Sequence, residues 1–452
     1  MSTRRKGTSL WRRLRFFVVG NIRAHVKWLA PGLHVKRWLV LLVFGVTFVS
    51  LGIAYLMTHY YRTQPFPEEV YFVTLQFIDR AFRGAVFLLL GGAISAFALV
   101  QLARSLVSPF VSRDRAIVDR IREHRHLSRG PRIVAIGGGH GLSTLLRGLK
   151  QHTQNLTAVV TVTDDGGSSG RLRRDLGVLP PGDIRMCLVA LADAEPLMTR
   201  LFQYRFERGD GLEGHSFGNL FLAAMNEITG NFERAVRESS RVLAVRGQIL
   251  PSTLEDIDIG AEYCDGEIVV GESQLPLLRK AIRRLFLRPA DPPAYPEAIK
   301  AILEADLIVI GPGSLYTSIL PNLLVQGISD AVRKSMAMRI YICNVATQRG
   351  ETDDYGVFEH IQAIEGHCGP GLFDHVLVNN NSETTGCIGI ESSPVRLNRK
   401  HRNPQYHLIE ADVIDVGHPH FHDGAKLAEV LVTVYASGGQ LPSWPRTPLA
   451  PV

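Results

Sequence analysis

The chain has 452 residues, 46% of them hydrophobic, and a formal net charge of +7. That length suits two or three folded units rather than one. Its five cysteines include no CxxC pair, which argues for a reducing compartment and against a disulfide framework or a structural zinc centre.

Residues 1–37 carry Arg4, Arg5, Lys6, Arg12, Arg13, Arg15, Arg23, Lys27, Lys36 and Arg37 and no acid. A second basic run holds Arg113, Arg115, Arg120, Arg122, Arg125, Arg129 and Arg132. Such runs suit either nucleic acid or a membrane surface. Their positions favour the membrane. Segments 38–58 and 85–103 contain no charged residue, and each has the length of about 20 residues that a helix needs to cross a hydrocarbon core. The basic runs flank this pair on its outer sides, so the positive-inside rule expects a multi-pass protein of the inner membrane with both termini cytoplasmic and no nucleic-acid partner. A buried helical hairpin of a soluble domain is the alternative. The first segment lies too far from the N-terminus, and is too long, for a signal peptide. The expected organisation is therefore a basic tail (1–37), a transmembrane helical hairpin (38–107), a charged helical linker (108–130), a nucleotide-binding domain (131–438) and a disordered proline-rich tail (439–452).

From Arg132 onward, short apolar runs alternate with helical patterns. RIVAIG, LTAVVTVT, ADLIVIG, RIYICNV and HVLVNNN read as buried strands. Strands buried on both faces and separated by helices predict an α/β fold: a doubly wound, Rossmann-like parallel sheet. Residues 246–288 break the alternation. GQILP, DIDIGAEY, EIVVGES and RRLFLRP read as short strands, with a hairpin turn at Asp265-Gly266, and predict a small antiparallel insertion.

Each glycine-rich or polar cluster follows a strand. In a parallel sheet the strand ends share one edge, so these loops are expected to meet in one crevice suited to phosphates. Gly137-Gly138-Gly139-His140-Gly141 follows the first strand at a helix start. It lacks the third glycine of a dinucleotide fingerprint, because that position is Leu142, and this disfavours an NAD-dependent oxidoreductase. Asp164-Asp165-Gly166-Gly167-Ser168-Ser169-Gly170-Arg171 follows the second. Paired carboxylates with hydroxyls and arginines suit a metal–phosphate complex, so Asp164 and Asp165 are candidate Mg²⁺ ligands; an Asx turn is the plainer reading. Asp183, in PGDIR, is either a ligand or a helix cap. His215 and Asn219, in HSFGN, offer an imidazole and an amide at a helix start; a cap with a core histidine is the alternative.

Gly311-Pro312-Gly313-Ser314-Leu315-Tyr316 forms a second glycine loop, where Tyr316 offers a flat face for a base or sugar. Residues 344–354 add Arg349 and further polar groups, and Arg349 reads equally as a phosphate partner or a surface arginine. His418, His420 and His422 could suggest a metal cluster, but Asp423 reads as the cap of the next helix and the histidines merely precede it. No GxSxG elbow, HExxH or Walker A lysine motif is present. No catalytic residue is assigned, and whether the chain is an enzyme stays open.

At GGGHG, TDDGGSSGRLRR, GDIR, HSFGN and GPGSLYTSILPNL, residues 131–436 resemble the YvcK, or gluconeogenesis factor, family, relatives of the 2-phospho-L-lactate transferase CofD. The N-terminal hairpin is expected to lie outside that resemblance. The likeness implies a UDP-sugar-binding regulator, with UDP-N-acetylglucosamine as the model ligand. It would support growth on gluconeogenic carbon sources, cell shape and wall synthesis. The ligand would be held by Gly137, Gly138, Gly139, Asp164, Asp165, Gly166, Ser168, Ser169, His215, Asn219, Gly311, Gly313, Ser314, Tyr316 and Arg349. Cell-wall enzymes and a homodimer are the implied partners. The alternative is a Mg²⁺-dependent transferase of the 2-phospho-L-lactate type. GPGSLYTS departs from the PSNP-type loop of that branch.

Overall fold

The computed structural model describes residues 127–439 except 194–195, 382–391 and 399–404, together with scattered residues between 44 and 97. The chain divides into two compact units, 1–125 and 126–452.

In the first unit the described residues within 44–58 and 82–97 are helical, and Phe44, Phe48, Leu89, Ile94 and Phe97 among them are exposed. Among the described residues, no helix is long and apolar enough to cross a membrane. The structure therefore does not establish the expected two-span hairpin. Much of 38–58 and the end of 85–103 fall outside the described residues. So do the basic tail, nearly all of the linker and the proline-rich tail.

The second unit is built on seven parallel strands. In chain order they begin with β1 (Ile133–Gly137), β2 (Leu156–Val160) and β3 (Gln248–Pro251). After β4 (Asp258–Tyr263), β5 (Ile268–Val270) and β6 (Ile282–Arg288) come β7 (Leu307–Ile310), β8 (Met338–Ile342), β9 (His375–Asn379) and β10 (His407–Ala411). The large sheet runs β10-β9-β8-β7-β1-β2-β3, and β4–β6 form a separate sheet in the order β5-β4-β6. Every residue of β1 and β7 is buried, so both faces of the large sheet are covered, as its apolar runs require.

The helices follow the same logic. Helix α1 (Gly139–Leu149) buries Leu142, Leu145, Leu146 and Leu149, one stripe at helical spacing. Each of these leucines contributes on the order of 1.5–3 kcal/mol by leaving water. Helix α2 (Gly167–Leu176) is polar and ends at Gly177 in the left-handed conformation, φ +65°, a stop that glycine adopts without strain. Helices α3 (Gly182–Leu191), α4 (Pro196–Gln203), α5 (Phe217–Thr229) and α6 (Phe232–Val242) lead to β3. Further helices are α7 (Pro296–Leu303), α8 (Leu320–Leu324), α9 (Gln326–Lys334), α10 (Val357–Cys368) and α11 (Gly424–Ala436).

Two strand expectations need correction. GQILP is not part of the antiparallel element: β3 pairs in parallel with β2, Ile249 opposite Ala158. The helical crossover that separates β2 from β3 returns the chain in the same direction. The last strand, β10, had no sequence signal because HLIEA is short and mixed in polarity. The hairpin turn is as expected: β4 and β5 are antiparallel, and Gly266 takes φ +85°.

Candidate functional site

The chain winds outward from β1 through β2 to β3, then restarts at β7 and winds the other way through β8 and β9 to β10. Strands β1 and β7 are adjacent, Ile136 opposite Ile310. The loops that leave them must therefore diverge, and a crevice opens at this switch point.

Two glycine loops line that crevice and touch backbone to backbone. A Cβ on Gly141 would lie 2.5 Å from the carbonyl oxygen of Pro312, so only glycine allows the approach. Asn322, fully buried, donates from Nδ2 to the carbonyls of Gly137 at 2.9 Å and Ser318 at 2.7 Å, tying the β1 loop to the β7 loop. Asn344 donates to the Gly313 carbonyl at 2.8 Å and ties in the β8 loop. A cavity of about 420 Å³ opens among them, lined by Gly139, Gly313, Ser314, Asn344, Arg349 and His420, among others. Helix α1 starts here; its N-cap Gly138 has no side chain to cap it, and the Gly139 N–H is taken by the carboxyl of Asp183, which sits at the positive end of the helix dipole.

Ser314 and the following turn are held from below by Glu351. This buried carboxylate accepts hydrogen bonds from the Ser314 hydroxyl, the Tyr316 N–H and, at 2.7 Å, Gln348 Nε2. Burial pushes its pKa up to about 7, with the Ser314 and Tyr316 donors pulling the other way.

Beside the crevice, a carboxylate group lies at the end of β2. Asp164 accepts the Gly166 N–H at 3.0 Å, the Asx turn anticipated above, and Asp165 accepts the Ser273 N–H at 2.8 Å. Asp183 sits in the first turn of α3 but does not cap it. Its carboxyl takes the Gly139 N–H, and a Cβ on Gly138 would lie 2.4 Å from its Oδ2. Burial, then the charge of Asp164, push its pKa up to about 7, against the Gly139 N–H and Arg185. Glu272, which follows β5, receives the Thr163 hydroxyl at 2.7 Å. Burial and then the charges of Asp183, Asp164 and Asp165 push it well up, opposed by the Thr163 hydroxyl. Among the described residues, no group of three or more His, Cys, Asp or Glu side chains is placed to hold a metal ion.

A third group, expected to line the crevice, is turned inward. Ser168 Oγ meets His215 Nδ1 at 3.0 Å. Asn219 Nδ2 donates to Ser168 at 3.1 Å and Ser169 at 3.4 Å, and Asn219 Oδ1 accepts from Arg185 Nε at 2.8 Å. Ser168, Ser169, His215 and Asn219 are each at most 5% exposed. Their polar atoms brace α2, α3 and α5 against one another. The adjoining arginines are also engaged: Arg171 donates to the Glu213 carbonyl at 2.7 Å, and Arg173 pairs with Asp256 and Asp258.

Of the expected contacts, Gly138, Gly139, Gly313, Ser314 and Arg349 line the crevice cavity. Gly137 and Gly311 form the strand ends beneath it. Gly166 caps α2 beside Asp164 and Asp165. Tyr316 stands apart. It is 1% exposed, its hydroxyl meets that of Tyr355 at 2.8 Å, and it borders a different cavity, so it presents no open face to a base or sugar. Asp423 caps α11 as read, accepting from Ala425 and Lys426. His422 is buried, with Nε2 on the Cys343 carbonyl at 3.2 Å, and burial pushes it down to about 4. His420, read only as a spacer, lines the crevice. Glu272, Asn322 and Glu351 were also missed, since single polar residues near turns carry no spacing signal.

The sequence profile of the family "2-phospho-L-lactate transferase CofD" matches residues 133–414, from β1 to just beyond β10. The chain belongs to the CofD family. Among CofD-family relatives, a protein from Nostoc is 49% identical over 436 residues, covering 90% of this chain and 92% of its own. The gluconeogenesis factor of Bacillus subtilis is 50% identical over 287 residues, 64% of this chain and 87% of its own. A crystal structure from Bacillus halodurans shares 47% identity with a TM-score of 0.64, covering 67% of this chain and all of its own. Residues 131–452 are less than three quarters of this chain. The Nostoc match therefore reaches into the N-terminal region, contrary to the expectation that the resemblance stops there.

Proposed function

We propose that this CofD-family chain is a UDP-sugar-binding regulator of the gluconeogenesis factor type, with UDP-N-acetylglucosamine as its model ligand. The observation that carries this reading is the backbone contact of two glycine loops at the β1/β7 switch point. It opens a cavity walled by glycine backbone, hydroxyls and Arg349 at the start of helix α1. Such a surface recognises a diphosphate by shape and partial charge. Gly137, Gly138, Gly139, Gly311, Gly313, Ser314 and Arg349 would hold the phosphates. Asp164, Asp165 and Gly166 lie beside them. Ser168, Ser169, His215 and Asn219 would act through the frame that positions these loops. The relatives' name, gluconeogenesis factor, supports a role in growth on gluconeogenic carbon sources; the proposal extends that role to cell shape and wall synthesis. The uncharged segments 38–58 and 85–103, where Phe44, Phe48, Leu89, Ile94 and Phe97 are exposed, support an anchor at the inner face of the cytoplasmic membrane, near cell-wall enzymes. Isothermal titration of the full chain with UDP-N-acetylglucosamine is expected to give saturable heat, abolished by Arg349→Glu; a flat titration rejects the ligand.

A second reading, a Mg²⁺-dependent phospholactate-type transferase, is favoured by the carboxylates at the end of β2. Asp164 and Asp165 each have one oxygen engaged by a backbone N–H. The remaining oxygens suit a Mg²⁺ shared with a ligand diphosphate better than an all-protein cage. When bound, that ion would draw charge from the leaving phosphate. Release of guanine nucleotide from a phospholactyl donor, in the presence of a deazaflavin acceptor, would establish turnover.

A further inference from the structure

A second cavity, about 740 Å³, lies away from the crevice, between β6 and α10. One of its walls is consecutive chain, Ile282 to Leu287. Among the described residues, strand β6 is an edge strand that pairs with β4 alone. In its antiparallel ladder, Asp258, Gly260 and Glu262 face Arg288, Phe286 and Arg284. Alternation then turns the backbone groups of Leu285 and Leu287 away from β4, toward the cavity. The Leu285 N–H shows that direction directly: it donates to His367 Nε2 of α10 at 2.9 Å. Helix α8 packs against both β6 and α10 and forms the floor with Leu324, beside Tyr316 and Tyr355. The result is a groove between a strand edge and a helix, joined where the Leu285 N–H meets His367; a strand added here would displace that imidazole, gaining main-chain hydrogen bonds while alternate side chains enter pockets.

The charge of the groove selects the partner. Arg283, Arg284 and Arg288 stand along β6. Arg283 pairs with Glu262 at 3.0 Å, and Arg288 lies over the Phe286 ring. Arg284 is exposed and has no ion pair among the described residues. Opposite, Glu359 is engaged by the Gly356 N–H at 2.9 Å.

We propose that this groove docks an extended acidic segment of a partner protein, which adds to β6 as a further strand. The seven residues of β6 span roughly 23 Å at about 3.3 Å per residue, enough for a short linear segment. A Cβ added at Gly366, which lines the groove, meets nothing within 4 Å, so Gly366→Trp is the substitution chosen to obstruct the groove from an open position.

The test is fluorescence anisotropy on the full chain with the labelled hexapeptide Glu-Val-Glu-Leu-Glu-Val. Saturable binding is expected. Gly366→Trp and Arg284→Glu should each weaken it at least tenfold at an unchanged melting temperature, and a Lys-for-Glu version of the peptide should not bind. Three outcomes would overturn the proposal: no saturation up to about 1 mM, the weak limit of specific affinity; equal binding of the basic peptide; or indifference to Gly366→Trp. Sedimentation of the protein alone supplies a further check. A dimer that Gly366→Trp dissolves gives the groove to a second copy of the chain and also overturns the proposal.

Discussion

The crevice between β1 and β7 and the polar brace between α2, α3 and α5 are both made of the chain's most recognisable motifs, yet they use them in opposite ways. At the crevice, glycines strip the wall to backbone, so that main chain and hydroxyls border a cavity. At the brace, Ser168, Ser169, His215, Asn219 and Arg185 direct their polar atoms at one another. A polar motif at a helix start can thus be a contact or a girder, and only the partners of each atom distinguish the two.

Substitutions can break or sharpen this contrast. The largest effect is expected from Tyr316→Ala, which empties a fully buried aromatic site. Stability should fall by about 3–5 kcal/mol, as for other large-to-alanine core changes, measured by urea denaturation. A drop in ligand affinity without loss of stability would return Tyr316 to the crevice. Gly141→Val comes next. Its side chain meets the Pro312 carbonyl, so the two loops must part, at a cost of about 1–3 kcal/mol and most of the nucleotide affinity seen by titration. If affinity survives, the loop contact does not shape the site.

Asn219→Ala should cost about 1–3 kcal/mol by stranding the buried Ser168, Ser169 and Arg185 groups. Affinity should change less than it does for Gly141→Val; the reverse order would make Asn219 a direct contact. The smallest effect is on pH dependence. Asp183 is raised to about 7, so between its ordinary value near 4 and 7 the folded state holds more protons than the unfolded one. Its stabilising contribution is complete at the acid end and declines as pH rises through 7. Asp183→Asn should flatten that part of the stability profile; an unchanged slope would place the titration elsewhere, Glu351 being the next candidate.

The parallel sheet and its common rim could be read from RIVAIG, LTAVV and LIVI because strands buried on both faces leave unbroken apolar runs. Glycine loops could be read for a related reason: close backbone approach leaves no substitute for glycine at Gly138 or Gly141. What could not be read is direction. Nothing local separates Ser314, which borders the crevice, from Tyr316 two residues on, which turns to the other side. The role of Glu351 depends on a carboxylate reaching a loop 37 positions earlier in the chain. The order in which β3 joins the sheet likewise rests on a crossover rather than on its own four residues.

The turn after β7 has a consequence for how such a protein could diverge. Ser314 borders one cavity and Tyr316 the other, and both are fastened to the same downstream stretch, through Glu351 and Tyr355. A descendant that retunes its small-molecule preference at this turn would therefore disturb the opposite chamber in the same step. Drift at the two chambers should be correlated, and lineages that change one without the other should carry compensating replacements within residues 348–355.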